Sequence, residues 1–127
     1  MNMLKTNYFI VPNNYNDVLK ISGTTEADDE VKIKGFNDAE NKMVKAIIKK
    51  MRICKVYNGG VLPKRGEQRW YSWYNVSSGF VFDNTYYVDS NANTGSASRL
   101  SFLESKYAND FVKKFKDVDE AIIDMQD

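Results

Sequence analysis

Residues 69–88 (RWYSWYNVSSGFVFDNTYYV) constrain the fold more than any other stretch. They hold both tryptophans of the chain, half of its tyrosines and two of its phenylalanines. Aromatic and β-branched residues at this density suit a pleated, half-buried surface. Ser77, Ser78 and Gly79 interrupt the run, and Gly79 has the freedom at positive φ that a hairpin turn demands. Asp83 and Asn84 interrupt it again with turn-forming side chains. The expected strands are 68–76, 80–82 and 85–89. Side chains alternate along a strand, so Trp70, Tyr74 and Val76 share one face and Tyr71 and Trp73 the other. A sheet with one face in water has no use for large rings on both. Either both faces are covered or one is a recognition surface, with Trp70, Tyr71 and Trp73 as its aromatic contacts.

The rest of the chain supplies the partners of such a sheet. Asn37 followed by Glu40 has the spacing of a capping box and starts a helix over 37–57. Met43, Val44, Ile47, Ile48, Met51 and Cys54 recur along it at three and four, and Gly59-Gly60 permits its end. A closing helix begins near Glu104 or Ser105. It carries Ala108, Phe111, Phe115, Val118 and Ile122 on one face, a pattern that extends to Met125 unless 117–120 breaks it. Short strands are expected at 8–11, 17–22, 31–33 and 99–103, with helix the alternative for the runs in the first third of the chain. Residues 61–67 and 89–98 read as loops. The fold class that follows is α+β: an antiparallel sheet of about four to six strands with two helices packed on it. One domain is expected over 1–127. It consists of a strand-rich part (1–36), the basic amphipathic helix (37–57) and the aromatic sheet with its closing helix (63–127).

Charge is segregated although the formal net charge is only +1. Residues 42–69 carry nine basic groups against one acidic, and the segments on either side are acidic. Lys42, Lys45, Lys49 and Arg52 follow a helical spacing opposite the apolar face, continued by Lys64, Arg65 and Arg69. With no acidic residue in the helix after Glu40, this stripe is expected to lie in solvent, to be neutralised by the acidic 26–30 loop or the closing helix, or to meet an acidic partner. Basic groups beside aromatic rings are what binders of single-stranded nucleic acid use.

Several functions lose their usual instruments. The chain has no histidine, the commonest general base and metal ligand. Its one cysteine, Cys54, falls on the apolar helix face. No phosphate-binding glycine loop is present. Asp89, Asn91 and Asn93 mimic the start of a calcium loop, but Gly95 falls one place late and Leu100 stands where the bidentate glutamate belongs. No metal or cofactor is expected. No apolar run reaches the ~20 residues of a membrane span, and the start of the chain lacks a signal-peptide core. With a single cysteine, these features point to a reducing compartment.

Residues 63–115 carry a set of short motifs. Pro63, Lys64, Arg65, Gly66 and Glu67 precede Trp70 and Tyr71. Tyr71, Trp73 and Tyr74 form an aromatic-x-Trp-aromatic element. Ser78, Gly79, Phe80 and Phe82 follow, then Ser98, Arg99, Leu100 and Phe102, then Ala108 and Phe115. This series resembles a module of uncharacterised small bacteriophage and prophage proteins, in the version found in phages and genomes of Bacteroidetes. Ala97 and Glu104 depart from it, standing where those proteins usually have glycine and a Ser or Thr cap. The resemblance implies a viral or mobile-element protein and brings no catalytic residues. The expected function is a non-enzymatic accessory protein in the host cytoplasm, binding a protein or nucleic acid through the basic and aromatic surface. A protein partner would be a host protein, a second copy or a virion neighbour. The alternative is a small virion component, decorating the capsid or lying inside the particle.

Overall fold

A computed structural model describes residues 11–64, 66–75, 81–89 and 98–123. Three α-helices and one β-hairpin make up these residues. In chain order they are α1 (Tyr15–Ser22), α2 (Asp38–Tyr57), β1 (Gln68–Asn75), β2 (Val81–Asp89) and α3 (Ser105–Ile123), with 3-10 turns at Glu26–Asp29 and Ser98–Leu100.

The helix starts follow from their caps. Asn37 accepts a hydrogen bond from the Glu40 N–H, and Glu40 accepts one from the Asn37 N–H, which satisfies two N-terminal donors of α2. At α1, Asn14 accepts from the Asp17 N–H, and Asp17 accepts from the Asn13 N–H. Gly23, at φ 72°, ends α1 in the left-handed region, with its N–H turned back to the last carbonyls. Thus 17–22, expected as a strand, is most of a helix, and Val18, Leu19 and Ile21 are its buried face.

The expected sheet of four to six strands is not what forms. Among the described residues the only strands are the antiparallel pair β1 and β2, and the helices outweigh them. Residues 31–33 are irregular, and most of 8–11 lies outside the described residues. Asp83-Asn84, expected as a turn, instead sits inside one continuous β2. The register steps from Trp73 opposite Asn84 to Tyr74 opposite Phe82, so Asp83 is the extra residue of a bulge. The expected strand at 99–103 shrinks to a 3-10 turn and one bridge, in which Trp70 and Phe102 exchange both backbone hydrogen bonds (2.7 and 2.8 Å). Buried Asn58 holds the other edge of this segment: its amide donates to the Ser101 carbonyl (3.0 Å) and accepts from the Leu103 N–H (2.8 Å), backbone groups that point away from β1 in the ladder.

The core lies between the three helices and one face of the hairpin. Val18 and Ile21 of α1, Ile53, Cys54, Val56 and Tyr57 of α2, Phe102, and Ala108, Phe111, Phe115 and Val118 of α3 form it. Tyr57 is fully buried. Its ring meets the edges of Phe102 and Phe115, and its hydroxyl donates to Asp110 (2.8 Å). Helix α3 is interrupted at Phe115 (φ −134°, ψ 23°), two residues before 117–120, and resumes beyond it. Val118 and Asp119 beyond it still face inward. Trp70 and Tyr74 pack against this core from β1.

Candidate partner-binding surface

The basic stripe of α2 is the first candidate, and the fold uses most of it internally. Its buried line runs through Ala46, Ile53 and Tyr57. At 100° per residue the basic residues flank that line on one side, where the 26–30 loop and α1 pack. The Arg52 Nε donates to Asp29 (2.5 Å), and its terminal nitrogen donates to the Asp28 carbonyl (3.1 Å). Asp29 is almost fully buried and also accepts from the Tyr15 hydroxyl (2.6 Å). Lys49 lies over the Tyr15 ring, 4.5 Å from its centroid. Lys45 meets Glu30 at 2.7 Å, with both side chains largely in solvent. Lys50 reaches the other way, to buried Asp119 of α3 (2.5 Å), which also accepts from the Tyr74 hydroxyl (2.5 Å). An uncompensated stripe is therefore not observed: neutralisation by the acidic loop and the closing helix is. Lys42 and Lys64 remain exposed. Arg69 is only 4% exposed and does not contribute to a surface, while Arg65 lies outside the described residues.

The aromatic candidates divide between the two faces of β1. Trp70 packs on the core, so it is not part of an outer surface. Trp73 is 52% exposed, and the half-buried Tyr71 ring lies beside it on the same face, with centroids 6.5 Å apart. Two rings held side by side on a paired strand lose little side-chain entropy on binding, which makes them efficient contacts.

A second surface escaped the sequence reading. The apolar arc of α2 is wider than the core it covers, and Ile48 and Met51 lie outside the buried line. Residues 59–60 turn the chain back at positive φ (64° and 80°), which sets Val61 and Leu62 opposite them. Together they line an open groove of about 450 Å3, with buried Cys54 and Asn58 behind them and Arg52, Lys55 and Arg99 around it. The periodicity had signalled an apolar face; it did not say how much of that face the fold would cover.

Burial keeps two tyrosines and the cysteine of the interior protonated at neutral pH. Burial, then the bond to Asp110, pushes the Tyr57 hydroxyl far above its ordinary range. Burial and Asp119 do the same to Tyr74. Burial pushes the Cys54 thiol up to about 12, so it is not a ready nucleophile. Among the described residues no group of cysteine and carboxylate side chains is arranged to hold a metal ion. No helix among them is long and apolar enough to cross a membrane.

No family model matches the sequence, and neither a curated protein nor a solved structure matches it.

Proposed function

We propose that the chain is a non-enzymatic accessory protein of a phage or mobile element that binds a protein partner through the outer face of its hairpin. The observation that carries this is Trp73, half in solvent beside Tyr71 on a strand whose opposite face is anchored in the core. Exposed aromatic anchors on a fixed backbone are the residues that dominate protein interfaces. The motif series around residues 63–115 supports the phage origin. A protein is favoured over nucleic acid because Arg52, Lys45 and Lys50 already meet carboxylates within the fold.

The test separates the two partner classes. The native chain is titrated at low salt with single- and double-stranded DNA, followed by tryptophan fluorescence. The expected result is no saturable binding. Saturable binding with a log–log salt slope of roughly −3 to −5, as four to six phosphate contacts would give, and its loss in a Lys45→Glu/Lys49→Glu variant, would overturn the protein reading.

A further inference from the structure

We infer that the groove between α2 and the 60–62 turn is a second docking site, and that it takes an acidic amphipathic segment of a partner protein. This goes beyond the hairpin face and shares no residue with it. The floor is aliphatic: Ile48 and Met51 from the helix, Val61 and Leu62 from the turn. Met51, Val61 and Leu62 are 38%, 51% and 42% exposed, which puts neighbouring apolar side chains in water together. Scattered exposed apolar residues need no explanation; three that line one groove beside half-buried Ile48 do. The turn is built to hold this wall in place. The Gly60 N–H donates to the Lys55 carbonyl (2.8 Å) and the Val61 N–H to that of Asn58 (3.2 Å).

Charge selects the occupant. Lys55 and Arg99 are exposed at the rim, and neither has a carboxylate partner among the described residues. They differ in this from Arg52, whose guanidinium is committed to Asp29. An apolar floor between cations without carboxylate partners matches a segment with aliphatic side chains on one face and Asp or Glu beside them, the mode in which amphipathic helices enter grooves. Other anionic ligands fit less well. A small amphiphile needs a site that buries most of its surface, and this groove is open. Single-stranded nucleic acid is held by rings on which its bases stack, and none lines this groove.

The experiment uses the full chain, isotope-labelled, and fluorescent peptides of about four helical turns. One peptide has leucines on one face and glutamates beside them; a second replaces the glutamates with lysines. A short single-stranded DNA and vesicles of anionic phospholipid are run alongside. The acidic peptide is expected to bind, with amide shifts gathered at Ile48, Met51, Val61 and Leu62, and the lysine peptide is not. Lys55→Glu/Arg99→Glu, at exposed sites outside the core, should fold normally and weaken the acidic peptide about tenfold, since each rim contact is modest and both change sign. Met51→Asp should abolish binding. Equal binding of both peptides, binding unaffected by the rim reversal, preferential binding of DNA or vesicles, or no binding at all would each overturn the inference.

Discussion

Replacing Asp119 with Asn tests how the three layers are joined. Asp119 receives Lys50 from α2 and Tyr74 from β1 while sitting on α3, so one carboxylate ties helix, hairpin and closing helix together. The substitution keeps the shape and an acceptor for Tyr74 but removes the charge opposite Lys50. The side chains are 14% and 4% exposed for Lys50 and Asp119, so the ammonium is left largely desolvated. Breaking such a pair costs about 3–5 kcal/mol. Because Lys50 keeps some exposure and lies 5.2 Å from the Phe111 ring centroid, the lower end, about 3 kcal/mol, is expected. For a domain of this size that is a large part of a total of about 5–15 kcal/mol, and a fall of roughly 10 °C in Tm. Urea unfolding followed by circular dichroism measures it. A Lys50→Met/Asp119→Asn double variant should recover most of the loss, because it removes the stranded charge while Tyr74 keeps an acceptor. A loss in Asp119→Asn below ~1 kcal/mol, the range of a surface ion pair, would refute the reasoning.

Trp70→Ala should destabilise the chain by about 3 kcal/mol through the cavity left against the core, while Trp73→Ala should change stability by under ~1 kcal/mol; denaturant melts compare them. Asn37→Ala removes half of the capping box and should cost about 1 kcal/mol in the same assay. Stability should fall as pH rises past about 9: burial first of all raises Cys54 to about 12 and Tyr107 to about 12, and raises Tyr15, Tyr57 and Tyr74 further. The unfolded chain therefore releases protons that the folded chain retains, and the stabilisation present below the ordinary thiol and phenol values is lost above them. Stability unchanged between pH 8 and pH 10.5, a range that spans the ordinary thiol and phenol values, would contradict this. Cys54 should resist alkylation at neutral pH in the folded chain and react once it is unfolded.

How much was legible follows from how local each signal is. The capping box at Asn37 and Glu40, the start of α3 and the existence of the aromatic hairpin were all readable, because each rests on residues a few positions apart. The stop-and-start signals of α1 were also present, in Asn14, Asp17 and Gly23, but the segment is too short for periodicity to outweigh a strand. The third strand shrinks to one bridge at Phe102, whose other edge is held by Asn58, a residue far away in sequence. The fate of the basic stripe depended on acids 15, 23 and 69 residues away. Spacing within one helix carries no information about such partners. The split between Trp70 and Trp73 followed from strand alternation, but which face would be covered depended on where α3 docks. The groove was unreadable for the same reason, since it is the part of an apolar arc that the core leaves over.

Photo-crosslinking from position 73 bears hardest on the proposal that the outer face of the hairpin meets a protein. A photoreactive amino acid is placed there, and for comparison at exposed Glu120 on α3, in the cells that naturally produce the chain. The expected result is one discrete protein adduct from position 73, much reduced when Tyr71 is also replaced by Ala, and none from position 120. Adducts of equal yield from both positions, adducts to nucleic acid alone, or no adduct from position 73 would contradict it.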